Sequence, residues 1–121
     1  MGFTRSVLPA FRDALLKFAL TAGLSEQRAK RLVLAAHEAA ANVILHGAGQ
    51  GTMRAWVQST ELVCEVTDPA GWEGAEAAGL RPPEPNGKGG AGMWLIRQAC
   101  DRVETRNDDD GYTIRMYVAC S

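Results

Sequence analysis

Apolar positions recur at helical spacing in the first part of the chain. From Pro9, the row Phe11, Leu15, Phe18, Ala19 and Ala22 predicts an amphipathic helix that closes at Gly23. Upstream, Phe3 to Leu8 reads as a short strand. Ser25 suits an N-cap, and helix formers run from Glu26 to His46 until Gly47 stops them. Gly47-Ala48-Gly49-Gln50-Gly51 reads as a turn. Two strand-like segments follow, Thr52 to Ser59 and Glu61 to Asp68, close enough to form a hairpin. The pattern then breaks. Pro69 to Gly92 holds seven of the thirteen glycines and four of the five prolines, a density that no packed element tolerates. A loop of that length is a functional lid or a linker. Met93 to Asp101 reads as a helix. Strands near Arg102 to Arg106 and Tyr112 to Ala119 follow, joined by the solvated turn Asn107-Asp108-Asp109-Asp110-Gly111.

Helices, a hairpin, a lid, a helix and a second hairpin, in that order, predict an α+β fold. It is a two-layer sandwich in which helices cover one face of a mainly antiparallel, mixed sheet. A length of 121 residues suits one domain, 1–121, with one modest core and a lid at about 69–92. With 46% hydrophobic and 22% charged residues, the chain lies well away from the disordered range. Thirteen basic and fourteen acidic residues give a net charge of −1, which argues against direct nucleic-acid binding. No run approaches a membrane span and no signal peptide is legible, so a cytoplasmic location is expected. Cys64, Cys100 and Cys120 are odd in number and widely spaced, which suits reduced thiols better than a disulfide scaffold or a zinc site.

Three features could carry chemistry. Between Leu32 and Leu45 only His37, Glu38 and Asn42 are polar, the pattern of a buried helix. Glu38 and Asn42 are four apart and share a face, which His46 extends. A carboxylate beside an amide suits hard-cation binding or proton abstraction, and a partly exposed helix face with both groups solvated fits as well. His46 alone suits a helix C-terminus. Asp68 falls in phase with Leu62, Cys64 and Val66 and should point to the core side, where it needs a donor. A bound base with an exocyclic amine would supply one, and capping of the turn at Pro69 is the open alternative. Finally, Gly87-Lys88-Gly89-Gly90-Ala91-Gly92 feeds a helix start, where exposed N–H groups and the helix dipole favour an anion. The loop has neither the G-K-[ST] of a P-loop nor the βαβ setting of a Rossmann turn.

In combination, these features resemble the GHKL (Bergerat-fold) ATPase superfamily, to which histidine-kinase catalytic domains and type II topoisomerases belong. Within it the chain looks most like the bacterial anti-sigma-factor serine/threonine protein kinases. The matching stretches are His37-Glu38-Ala39-Ala40-Ala41-Asn42-Val43-Ile44-Leu45-His46, then Gly90-Ala91-Gly92-Met93-Trp94-Leu95-Ile96-Arg97-Gln98 and Asp101-Arg102-Val103. The family's D-x-G-x-G is here Asp68-Pro69-Ala70-Gly71-Trp72, and Tyr112 rather than Thr follows Gly111.

The resemblance implies ATP and Mg²⁺ as ligands. Asn42 would hold the Mg²⁺ that bridges the phosphates, and Glu38 would be the general base. Asp68 would accept from the adenine amine. The backbone of Gly90, Ala91, Gly92 and Met93 would hold phosphate oxygens, with Lys88 beside them. It further implies a bacterial, cytoplasmic protein that binds a sigma factor and phosphorylates a serine on an antagonist (anti-anti-sigma) protein, and it leaves a homodimer open. Two other readings stay open. One is a protein-binding module that keeps the fold with weak or no catalysis. The other is the ATP-binding domain of a histidine kinase, although both histidines, His37 and His46, fall within the Glu38 helix.

Overall fold

The structure, a computed structural model, describes residues 2–71 and 91–120. Most of the predicted lid lies outside the described residues, and with it Lys88 and Gly90. The elements run β1 (Gly2–Phe3), α1 (Leu8–Thr21), α2 (Glu26–His46), β2 (Gly51–Gln58), β3 (Glu61–Asp68), α3 (Ala91–Ala99), β4 (Arg102–Asp108) and β5 (Gly111–Ala119). They form one five-stranded sheet in the order β1-β2-β3-β5-β4, and every neighbouring pair is antiparallel. The expected α+β two-layer arrangement is therefore present, with an open sheet whose described strands all pair antiparallel. Among the described residues no helix is long and apolar enough to cross a membrane.

Local chemistry explains most boundaries. Ser25 Oγ accepts from the Arg28 N–H at 3.2 Å and starts α2. Gly23, at φ 105°, supplies the left-handed residue that ends α1. Asp108 Oδ1 accepts from the Asp110 N–H at 2.9 Å, an Asx turn that tightens the β4–β5 hairpin to the two residues between Asp108 and Gly111. Two starts differ from the sequence expectation. The strand predicted over Phe3 to Leu8 stops at Phe3, because Leu8 and Pro9 open α1. Proline is at ease there, in a first turn that has no use for its missing N–H. The third helix begins at Ala91, two residues earlier than Met93, so Gly92 lies inside it.

The core lies between the helices and one face of the sheet. Leu62, Cys64 and Val66 on β3 pair in register with Val118, Met116 and Ile114 on β5. All six join Leu32, Ile96 and the buried alanines of α2 in a single cluster. Five of the seven buried residues of α2 are alanine, which lets that helix approach its neighbours closely. Each large apolar side chain removed from water here contributes about 1.5–3 kcal/mol. Burial pushes the Cys64 and Cys100 thiols up to about 12, so both stay protonated and inert. α2 is not buried all round, contrary to its sequence pattern: Leu34 and Leu45 are 49% and 65% exposed.

The opposite sheet face centres on Glu65, only 6% exposed. Its neighbours in register are Arg54 on β2 and Arg115 on β5. Each donates to its carboxylate at 2.6 Å. Burial acts to raise the pKa of Glu65, but the two guanidinium hydrogen bonds outweigh it and hold the carboxyl below its usual range. A carboxylate with a lowered folded value contributes stability that is complete above its unfolded value, about pH 4.3, and is lost as pH falls through the folded one. Glu65→Gln should therefore cost about 2 kcal/mol at pH 7, and the gap from wild type should close towards pH 3. Urea midpoints across that range check it; a gap independent of pH would contradict the assignment.

Candidate functional site

Glu38 and Asn42 project one turn apart from α2, and both are half-buried. Gly92, in the first turn of α3, lies against them. A Cβ at residue 92 would sit 3.2 Å from Glu38 Oε2 and 3.4 Å from Asn42 Nδ2. A carboxylate, an amide and the first-turn backbone of α3 thus meet within the width of one missing side chain. Neither Glu38 nor Asn42 has a hydrogen bond or ion pair among the described residues, so both are free to take a ligand. The first turn of α3 adds N–H groups that have no partner within the helix and the positive end of a helix dipole.

Asp68 ends β3 and is 5% exposed on the helix side of the sheet, as its phase predicts. Its Oδ1 accepts from the Ala70 N–H at 2.9 Å and from the Ala48 N–H at 3.2 Å. The Ala70 bond is the turn cap that was the open alternative for this residue. Capping and ligand binding do not exclude each other, because both bonds fall on one oxygen. The second oxygen, Oδ2, lies against Gly47 and takes the place that a side chain there would fill. Gly47 follows Asn42 by five residues along α2, on the order of 8 Å of helix axis. Glu38, Asn42 and Asp68 therefore follow one another along and past the C-terminal half of α2.

β5 closes the floor. Gly111 packs so tightly on Asp68 and Pro69 that a Cβ would overlap the Asp68 carbonyl oxygen. Tyr112 stands opposite Asp68 in the ladder and points to the helix side, where its Oη lies 4.0 Å from Met93 Sδ. Thr113 is consequently on the other face, 3.2 Å from Thr67 Oγ1, and cannot reach the Asp68 side. Met93 is 2% exposed, and its side chain belongs to the core cluster. Ala91 opens α3, whereas Lys88 and Gly90 lie outside the described residues. His46 is exposed at the end of α2, and His37 Nδ1 is buried with no partner among the described residues. The site also includes the Gly47-Ala48 backbone, which the sequence pattern presented only as a helix stop and turn.

These residues suit a metal–nucleotide ligand. Asn42 offers an amide oxygen to a hard cation such as Mg²⁺. Glu38 offers a free carboxylate beside it, and Asp68 offers an acceptor in a buried setting. Comparison with known families agrees: residues 4–118 match the family model described as histidine kinase-like ATPase domain. No curated protein matches the chain.

Proposed function

Because the chain belongs to the histidine kinase-like ATPase domain family, the GHKL type, we propose that it is an ATP-dependent serine protein kinase acting as an anti-sigma regulator. In this reading it binds a sigma factor and phosphorylates a serine on the antagonist protein. The observation that carries it is the meeting of Glu38 and Asn42, neither of them hydrogen-bonded or ion-paired among the described residues, with the first turn of α3. The acceptor is on the partner, so no nucleophile is needed within this chain. The stretches around Glu38 and after Gly90 that resemble anti-sigma-factor kinases support the finer reading.

Asp68 accepts from the adenine amine through Oδ2. Asn42 would hold Mg²⁺, which would supply charge neutralisation for the phosphates. The α3 backbone at Ala91, Gly92 and Met93 donates to phosphate oxygens. Glu38 takes the proton from the incoming serine hydroxyl, whose oxygen forms a bond to the γ-phosphorus as the bond to the β,γ-bridging oxygen breaks and ADP leaves. Positioning and charge neutralisation carry most of such a transfer.

Asn42→Ala should weaken Mg-ATP binding tenfold or more and leave metal-free ATP nearly unaffected, as read by calorimetry with and without Mg²⁺. Equal loss in both conditions would remove Asn42 from the metal. Failure of the wild-type chain to bind Mg-ATP, or to phosphorylate a serine-bearing antagonist, would overturn the kinase reading. Two observations favour a second reading, a binding module without chemistry: Thr113 faces away, and Ala70 stands where the family pattern has a glycine after Asp68. That reading predicts partner binding unchanged by Asn42→Ala.

A further inference from the structure

Gly47 has a feature that a helix stop does not require. Its φ is −108°, outside the left-handed region, so a positive φ does not explain a glycine there. Gly23, which ends α1 at φ 105°, is the contrasting case. What Gly47 provides is space. A Cβ at residue 47 would overlap Asp68 Oδ2 and sit 2.6 Å from Asp68 Cγ and 2.9 Å from the Val43 carbonyl oxygen. The segment cannot easily step aside. The Gly47 and Gly49 N–H groups both donate to the Val43 carbonyl, at 3.1 and 3.0 Å, and wrap the chain back over the last turn of α2. From that fixed loop the Ala48 N–H reaches Asp68 Oδ1.

We propose that Gly47 and Ala48 are positioning residues that set the Asp68 carboxylate and thereby determine selection for a purine carrying an exocyclic amine. The proposal rests on the reading of Asp68 as the adenine acceptor. The Ala48 and Ala70 donors both occupy Oδ1, which fixes the plane of the carboxylate and leaves Oδ2 as the acceptor for the base. Gly47 leaves room for that orientation alone. Any side chain at residue 47 forces the carboxylate to rotate or the loop to lift, and either movement breaks the Ala48 bond. An acceptor out of place no longer distinguishes an amine from a carbonyl on the base, while the contacts assigned to the phosphates persist.

The test compares ATP with inosine triphosphate, whose base has a carbonyl where adenine has the amine, by calorimetry in the presence of Mg²⁺. Wild type should prefer ATP by tenfold or more, since an unpaired buried acceptor is costly. Gly47→Ala should bring the ratio close to one. Should that variant fail to fold, Ala48→Pro removes the donor to Oδ1 and adds nothing at residue 47, with the same expected loss of preference. A purely structural role predicts that both nucleotides weaken together with their ratio kept, and that result overturns the proposal. Asp68→Asn separates the two layers. If it erases or reverses the preference while Gly47→Ala and Ala48→Pro retain it, the positioning role alone falls. If it too retains the preference, the adenine reading falls and takes the proposal with it.

Discussion

Replacing Glu38 by alanine should lower ATP turnover by roughly a thousandfold while Mg-ATP affinity stays within a few-fold of wild type or improves. A positioned general base is worth about 10²–10⁴ in rate, which sets the size of the loss. The sign of the affinity change follows from charge. Glu38 is a half-buried carboxylate with no cationic partner among the described residues, beside the place assigned to a polyanion. Removing it relieves repulsion in the ground state, so only the transition state suffers. Single-turnover formation of ADP, measured beside calorimetric affinity, distinguishes this from a general collapse of the site. Asn42→Ala provides the contrast, since it strikes Mg-dependent binding first. Turnover above about a tenth of wild type in Glu38→Ala would exclude Glu38 as the base.

Gly111→Ala should be the most destabilising of the substitutions considered, at about 3 kcal/mol or more. Two costs coincide at this residue. Its φ of 116° is a conformation that residues with a Cβ rarely adopt. The added Cβ would also overlap the Asp68 carbonyl oxygen and lie 2.8 Å from Pro69 Cα. Both neighbours are backbone, so no rotamer change relieves the contact. β3 and β5 are the central strands, and a displacement at their Asp68–Tyr112 end moves the candidate acceptor as well. A thermal midpoint lowered by on the order of 10 °C, with weakened ATP binding, is the expected result. A loss below about 1 kcal/mol would mean that the β3–β5 junction relaxes more readily than its packing implies.

How legible each element was depended on whether its cause was local. α2 is legible to the residue because Ser25 Oγ accepts the capping bond and Gly47 ends the row of helix formers. β3 is legible to the residue because Leu62, Cys64 and Val66 alternate along it on one face. The start of α3 was misplaced because glycine and alanine in a Gly-rich run look like loop, and only contact with Glu38 and Asn42 gives Ala91 and Gly92 a reason to be helical. Leu34 and Leu45 looked buried because a run of apolar letters carries no information about how many neighbours a helix has. Arg54, Glu65 and Arg115 carry no signal in the sequence, since they lie far apart along it and become one row only through strand register.

By itself the sequence determined the fold class, the helix that carries Glu38 and Asn42, the phase of Asp68 and the resemblance to GHKL ATPases. All of these rest on periodicity, capping and short-range spacing, which are properties of neighbouring residues. The tertiary structure decided what lies across from what. It placed Gly92 on Glu38 and Asn42, turned Thr113 to the far face, and brought Gly47 and Ala48 from the end of α2 onto Asp68, twenty and more residues away in sequence. Such meetings depend on which strands pair and how closely helices pack. A one-residue change of register reverses which face a side chain occupies. The chemistry of each site residue was therefore visible in its own letter, whereas the reason for the glycine beside Asp68 became visible only in three dimensions.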